Sequence, residues 1–295
     1  MIGELPLSSL PLSGIRIIAV EQTLPIGGSK VERILCDKRV AAATLTGSEP
    51  AGASVASICG SEIMPTVLEL GGSDACIIMP SADIEKAVEI GCKSRLQNNG
   101  QSCIAAKRFF VHADIYEDVK ARFVSRFKAL KVGNPMAADT DIGPLVNQGS
   151  QIEITGQVEN AIADGATRVF GAEPISSDGF YFQPGILENI PPSSKAYHEE
   201  IFGPVMLLYK VDTLDEAIKI ANELSFGLGS AVWTRDEAEQ EKAIRLLQAG
   251  STFVNSMTPS EPRLPFGGIK KSGYGRELAE EGVRTWNNVK TVSIN

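Results

Sequence analysis

Three features of the sequence predict an α/β fold. Short apolar strands alternate with amphipathic helices, the pattern of a parallel sheet covered by helices. The chain has 295 residues and is 43% apolar, enough for one large or two ordinary domains with real cores. No run approaches eighteen consecutive apolar residues, so no membrane span is expected.

The elements follow in order. Ser29 is placed to cap a short helix through Val31, Ile34 and Leu35, and residues 40–46 read as a buried strand. Residues 50–59 form a helix with Pro50 in its first turn, where the missing amide costs nothing. Residues 66–70 are the next strand; after Gly71-Gly72 the pattern restarts with a strand at 76–79. Ile84, Ala87, Val88, Gly91 and Arg95 share one side of a helix, and Ile115, Val119, Phe123, Phe127 and Leu130 mark another. Thr213 with Glu216 and Thr234 with Glu237 have the spacing of capping boxes, with strands at 205–211 and 230–233 around the first of these helices. Residues 171–192, rich in proline and glycine, read as loop, and residues 290–294 as a C-terminal strand. The break at Gly71-Gly72 divides the chain into residues 1–71, residues 72–268 and a return segment, 269–295.

A net charge of −8 argues against nucleic acid or an anionic membrane as partner. The N-terminus has no basic residue before Arg16, the wrong order for a secretory signal, so a cytoplasmic location is expected. Five cysteines, an odd number, suit reduced thiols better than a disulfide framework. Cys36, Cys59, Cys76 and Cys92 fall in apolar or helical patterns and read as packing residues. Cys103 does not: Gly100 permits close backbone approach, and Asn98, Asn99 and Gln101 surround the thiol with amides. Glu69 lies between Leu68 and Leu70 on a strand, where an unpaired carboxylate is costly and a functional role is expected. A thiol nucleophile and a carboxylate base together suit covalent catalysis. Thr46-Gly47-Ser48-Glu49-Pro50 joins a strand to a helix, so free backbone donors and the helix dipole point at whatever binds there.

Leu68-Glu69-Leu70-Gly71-Gly72, the string from Leu96 to Cys103, Glu199-Glu200-Ile201-Phe202-Gly203-Pro204 and Pro265-Phe266-Gly267-Gly268-Ile269-Lys270 together resemble the aldehyde dehydrogenase superfamily over roughly residues 21 to 295. Within it, residues 43–52 and 272–277 are most similar to succinate-semialdehyde dehydrogenases. The resemblance implies an aldehyde dehydrogenase-like fold with a partial Rossmann-type cofactor domain and a complete α/β catalytic domain. It implies a reaction too, NAD(P)-dependent oxidation of a small aldehyde such as succinate semialdehyde to its acid. Cys103 would attack the carbonyl to give a thiohemiacetal and then a thioester, and Glu69 would activate the water that releases the acid. Thr46, Gly47, Ser48, Leu70 and Gly71 would lie along NAD or NADP, with Ser48 at the pyrophosphate, while Glu200 and Phe202 would hold the nicotinamide ribose and ring. No metal is expected.

A distal carboxylate on the substrate calls for a guanidinium or hydroxyl, and Arg263 with Ser260 is one candidate and Arg95 another. Gln97 and Ala105 stand where some relatives carry an arginine and a second cysteine. Relatives also carry an oxyanion-hole asparagine and a lysine for the adenosine ribose ahead of the matched region. No counterpart is found here, so the expectation is an N-terminally truncated chain that binds cofactor weakly. The alternative is a non-oxidising remnant, either an inert partner subunit or a weak thiol esterase. By resemblance, a homo-oligomer is expected, or association through the C-terminal strand.

Overall fold

The computed structural model describes residues 24–295. Residues 1–23, and the part of the 1–71 unit they make up, lie outside the described residues. The helices are α1 (Val31–Leu35), α2 (Glu49–Ser61), α3 (Ile84–Leu96), α4 (Tyr116–Ala129), α5 (Gln148–Ala163), α6 (Lys195–His198), α7 (Leu214–Asn222), α8 (Glu237–Leu246) and α9 (Ala279–Thr285). The strands are β1 (Ala43–Thr46), β2 (Thr66–Glu69), β3 (Ala75–Ile78), β4 (Arg108–His112), β5 (Thr167–Phe170), β6 (Glu173–Pro174), β7 (Phe182–Gln183), β8 (Gly185–Glu188), β9 (Val205–Val211), β10 (Gly229–Trp233), β11 (Ser251–Val254) and β12 (Gly273–Tyr274).

Seven strands form the main sheet, in the order β11-β10-β3-β4-β9-β8-β5. Every pairing in it is parallel except β5 with β8. Successive side chains point to opposite faces, and β4 shows the consequence. Phe109 and Val111 pack with Phe123, Phe127 and Trp233 beneath α3 and α4, whereas Phe110 joins Ile77, Ala217, Ile218 and Ala243 beneath α7 and α8. A further core sets Ile154, Val158 and Ala161 of α5 against Leu187, Val205 and Leu207. A second sheet has three strands, β1 parallel to β2 and β12 antiparallel to β2. The chain crosses from this sheet to the large one between Glu69 and Ala75, at Gly71-Gly72, and returns near its end to add β12.

Several expectations are corrected. Ser29 does not cap α1; it lies in a 3-10 turn, and Lys30 occupies the N-cap without a side-chain bond. The strand at 40–46 shrinks to Ala43–Thr46 and is half-exposed, because β1 is the edge of its sheet. Thr213 accepts from the Glu216 amide as the box requires, but Glu216 reaches back to the amide of Asp212. Asp236, not Thr234, caps α8 by accepting from Ala238 and Glu239, which leaves Thr234 to bond Glu239 and the Asp236 amide. Residues 171–192 are not all loop: they contain β6, β7 and β8. Residues 290–294 form no strand, for no described residue pairs with them, and Val292 and Ile294 are exposed. Cys36 is exposed, unlike the buried Cys59, Cys76 and Cys92.

Candidate active site

The turn before Cys103 is unusual backbone. Asn98, Asn99 and Gly100 all take left-handed φ angles, at 50°, 56° and 75°. Asparagine tolerates this region better than most residues, and glycine does so freely. At Gly100 space forbids anything larger, since a Cβ would lie 2.4 Å from the Gly203 carbonyl carbon. Side chains then hold the turn in place. Asn99 donates to Pro144 O (3.1 Å) and accepts from the Gly143 amide (3.1 Å), while Gln101 Oε1 accepts from the Val146 amide.

Beneath the turn, Arg95 is fully enclosed and donates to the carbonyls of Gly100, Gly203 and Ala106. Burial pulls its pKa down to about 10, against the opposing pull of Glu200 and Asp74. The expectation that Arg95 binds substrate is therefore corrected: its guanidinium faces inward and serves the backbone. Lys107, also fully buried, donates to the carbonyls of Ser102 and Cys103 at 2.7 Å each and forms a 2.8 Å ion pair with Glu200. Asp74 completes this buried set. Its carbonyl accepts from the Lys107 and Arg108 amides, and its carboxylate accepts from the Gly229 amide, with burial raising its pKa to about 6.

Glu69 ends β2 almost fully buried, and neither carboxylate oxygen has a hydrogen-bond partner. Burial, with the Glu277 charge, raises its pKa to about 7 against the opposing pull of Arg276. That value suits a group that must accept a proton near neutrality. The Cys103 thiol is half-buried, and burial raises its pKa while the Lys107 charge opposes. Gly267, just ahead of the return segment, roofs the carboxylate, since a Cβ there would sit 2.9 Å from Glu69 Oε1, and Gly273 of the return segment pairs with Glu69. Ser272 locks the roof on, donating to Gly71 O and accepting from the Gly227 amide.

The remaining positions fall on two sides. Thr46 is opposite Glu69 in the β1–β2 register, and the Gly47 amide donates to Glu69 O. Ser48 caps α2 without spending its hydroxyl on the helix, so the helix start is open. Leu70 packs on Gly52 of α2, Gly71 lies under Glu200 Oε2 (2.5 Å from a built Cβ), and Gly72 lies against the Cys103 carbonyl (2.9 Å). Phe202 is 45% exposed, with the Lys107 ammonium 6.0 Å from its ring centroid. One line of neighbours thus runs from Gly47 through Glu69, Gly71, Glu200 and Lys107 to Cys103. Ser260 and Arg263 are not on it. They sit in an exposed loop, with Arg263 paired to Glu261.

Sequence reasoning missed Lys107 and Asp74. The available signal was a lysine placed between Ala105-Ala106 and Phe109-Phe110-Val111, a charge in an apolar stretch that requires a partner.

Comparison with known proteins gives the following. The aldehyde dehydrogenase family profile matches residues 19–292. A succinate-semialdehyde dehydrogenase (NADP(+)) of Mycobacterium avium is 55% identical over 273 residues, covering 92% of this chain and 58% of that protein. The structure of succinic semialdehyde dehydrogenase from Streptococcus pyogenes in complex with NADP+ aligns at TM-score 0.89 and 38% identity, covering 91% of this chain and 59% of that one. Lactaldehyde dehydrogenase from Escherichia coli aligns at TM-score 0.84 and 32% identity, covering 87% and 54%. The chain thus spans less than two thirds of the length of these relatives. Among the described residues no helix is long and apolar enough to cross a membrane.

Proposed function

The chain belongs to the aldehyde dehydrogenase family, and from that premise we propose that it carries the catalytic half-site for NAD(P)-dependent oxidation of a small aldehyde, succinate semialdehyde first, to its acid. The observation that carries this is Glu69, a buried carboxylate with no partner and a pKa near 7, on the strand that leads to the glycines under Cys103. Cys103 sulfur adds to the aldehyde carbonyl carbon, making a thiohemiacetal. When bound, NAD(P)+ supplies the hydride acceptor that turns this adduct into a thioester. Glu69 takes a proton from water as the water oxygen attacks the acyl carbon; the C–S bond then breaks, the proton passes to the Cys103 sulfur, and the acid leaves.

The donor set suits part of a dinucleotide. The uncommitted Ser48 hydroxyl and the open start of α2 fit a phosphate anion, the Glu200 carboxylate fits a ribose diol, and the exposed Phe202 ring fits a planar face. In this reading residues 24–71 supply the cofactor side and residues 72–268 the nucleophile. The return segment 269–295 closes over Glu69. Of the two guanidiniums expected at a distal carboxylate, Arg263 is the one that solvent reaches. A homo-oligomer, with the exposed 290–294 segment pairing to another copy, belongs to the same proposal.

The test needs no cofactor. Acylation of Cys103 by an activated ester should proceed in the parent and in Glu69→Gln and be absent in Cys103→Ala. Hydrolysis of the thioester should be about a hundredfold slower in Glu69→Gln, the usual weight of general-base help. Equal deacylation in parent and Glu69→Gln would remove Glu69 from this role.

A further inference from the structure

Between the expected cofactor side and the nucleophile lies one fully buried ammonium. Lys107 spends its donors on the carbonyls of Ser102 and Cys103 and on the Glu200 carboxylate. Taking an ammonium out of water is expensive unless it is paired and hydrogen-bonded, and here two carbonyls accept from it and a carboxylate lies against its charge. Two of the three bonds fix the backbone on either side of the peptide that carries the thiol. The third grips the carboxylate whose other oxygen covers Gly71. We propose that Lys107 is a positioning residue that couples Glu200 to Cys103, so that any change in the pairing of Glu200 is transmitted through one ammonium to the nucleophile's backbone and charge environment. This rests on the reading of Cys103 as the nucleophile and extends it to a residue outside the reacting groups.

The charges facing Lys107 come from several elements. Glu200 stands in the loop after α6, Asp74 in the lead into β3 and Arg95 on α3, with Arg108 beside Asp74. At the thiol, burial raises the pKa most, the Lys107 charge opposes it, and Asp74 and Glu200 add to the rise. Glu200 favours the thiol form of Cys103, and Lys107 favours the thiolate. Removing either should therefore shift Cys103 reactivity in opposite senses. A residue that merely filled space would not produce that pattern.

The readout is the pH dependence of Cys103 alkylation by iodoacetamide in the full chain without cofactor, with labelled peptides mapped by mass so that the exposed Cys36 is scored separately. Lys107→Met should move the midpoint up by about one pH unit and slow labelling at pH 7.5 by about tenfold, and Lys107→Arg should restore most of this. Glu200→Gln should move the midpoint down, and that shift should shrink by half or more when Lys107→Met is also present. An unchanged midpoint in Lys107→Met overturns the proposal, as does a Glu200→Gln shift of the same size in both backgrounds. Should Lys107→Met fail to fold, Glu200→Gln carries the test, and a midpoint equal to the parent's there overturns the proposal. Labelling confined to cysteines other than 103 overturns instead the nucleophile reading on which the proposal rests, and the proposal with it.

Discussion

The two sheets are stabilised in different ways. In the large sheet, β3, β4 and β9 are covered on both faces, and Ile77, Ile78, Phe109, Phe110 and Val111 have no exposed surface. Most of its strands come from one continuous stretch of chain and are joined by helices that cover it. The small sheet has one buried strand, β2, between an edge strand and a two-residue strand, β12, from the far end of the sequence. Cys103 lies on the well-packed side and Glu69 on the thin one. The difference teaches that the nucleophile is held by the fold as a whole, whereas the base depends on the chain's return.

The largest test of that contrast is Gly273→Ala. Gly273 has φ +117°, and a Cβ there would lie 1.8 Å from Leu68 O, so β12 cannot stay paired. Amide protection at Leu68, Glu69 and Leu70 should fall by about a hundredfold, the equivalent of roughly 3 kcal/mol of local strain, while β3, β4 and β9 stay protected. Loss of protection in both sheets together would show that they are one cooperative unit.

A middle-sized effect concerns pH. Folded Glu69 keeps its proton up to about pH 7, whereas the unfolded group loses it near 4.5. Between those values the folded state binds more protons, so stability falls as pH rises through the window, and the full cost persists above it. Glu69→Gln escapes this cost. Its melting temperature should match the parent's near pH 4.5 and exceed it at pH 8 by several °C, since a rise from 4.5 to about 7 corresponds to roughly 3 kcal/mol. A difference independent of pH would mean that the side chain matters through packing and not through its proton.

Arg263→Ala should do least. The pair with Glu261 is exposed and screened by solvent, so the melting temperature should not change measurably. If Arg263 reads a distal carboxylate, Cys103 acylation by a carboxylate-bearing ester should slow by up to about fivefold relative to a neutral ester, the weight of an exposed ion pair. An unchanged ratio would remove Arg263 from the substrate.

Much of the architecture was legible where the signal is local. The span 205–211 and the apolar side of α4 appeared in the structure as read, because period and element agree over that length. Strand β4 was missed because Arg108 opens it directly after Lys107, and β8 because its glycine follows a proline in a stretch that looks like loop. Thr234 lost its capping role to Asp236, since both can cap and only the incoming chain direction decides between them. At the site, the strings around Cys103 and Glu69 were legible because their types are out of place in ordinary packing. The roles of Arg95, Lys107 and Ser272 were not. Each has a partner far along the chain, Gly203 for Arg95, Glu200 for Lys107 and Gly71 for Ser272, and no short window contains both ends of those contacts.

The stack of Gly100 on Gly203 sets a dimension. A Cβ on Gly203 would in turn meet Ile154 Cδ1 at 2.3 Å, so the turn rests on the loop backbone to backbone, and the loop rests on one core side chain of α5. A side chain can absorb a small error by changing rotamer, but peptide against peptide cannot. The height of the thiol above the sheet is therefore gauged from the hydrophobic core like a part seated on a machined shim. A change of shape at Ile154, remote from any reacting atom, would be read at full scale by Cys103.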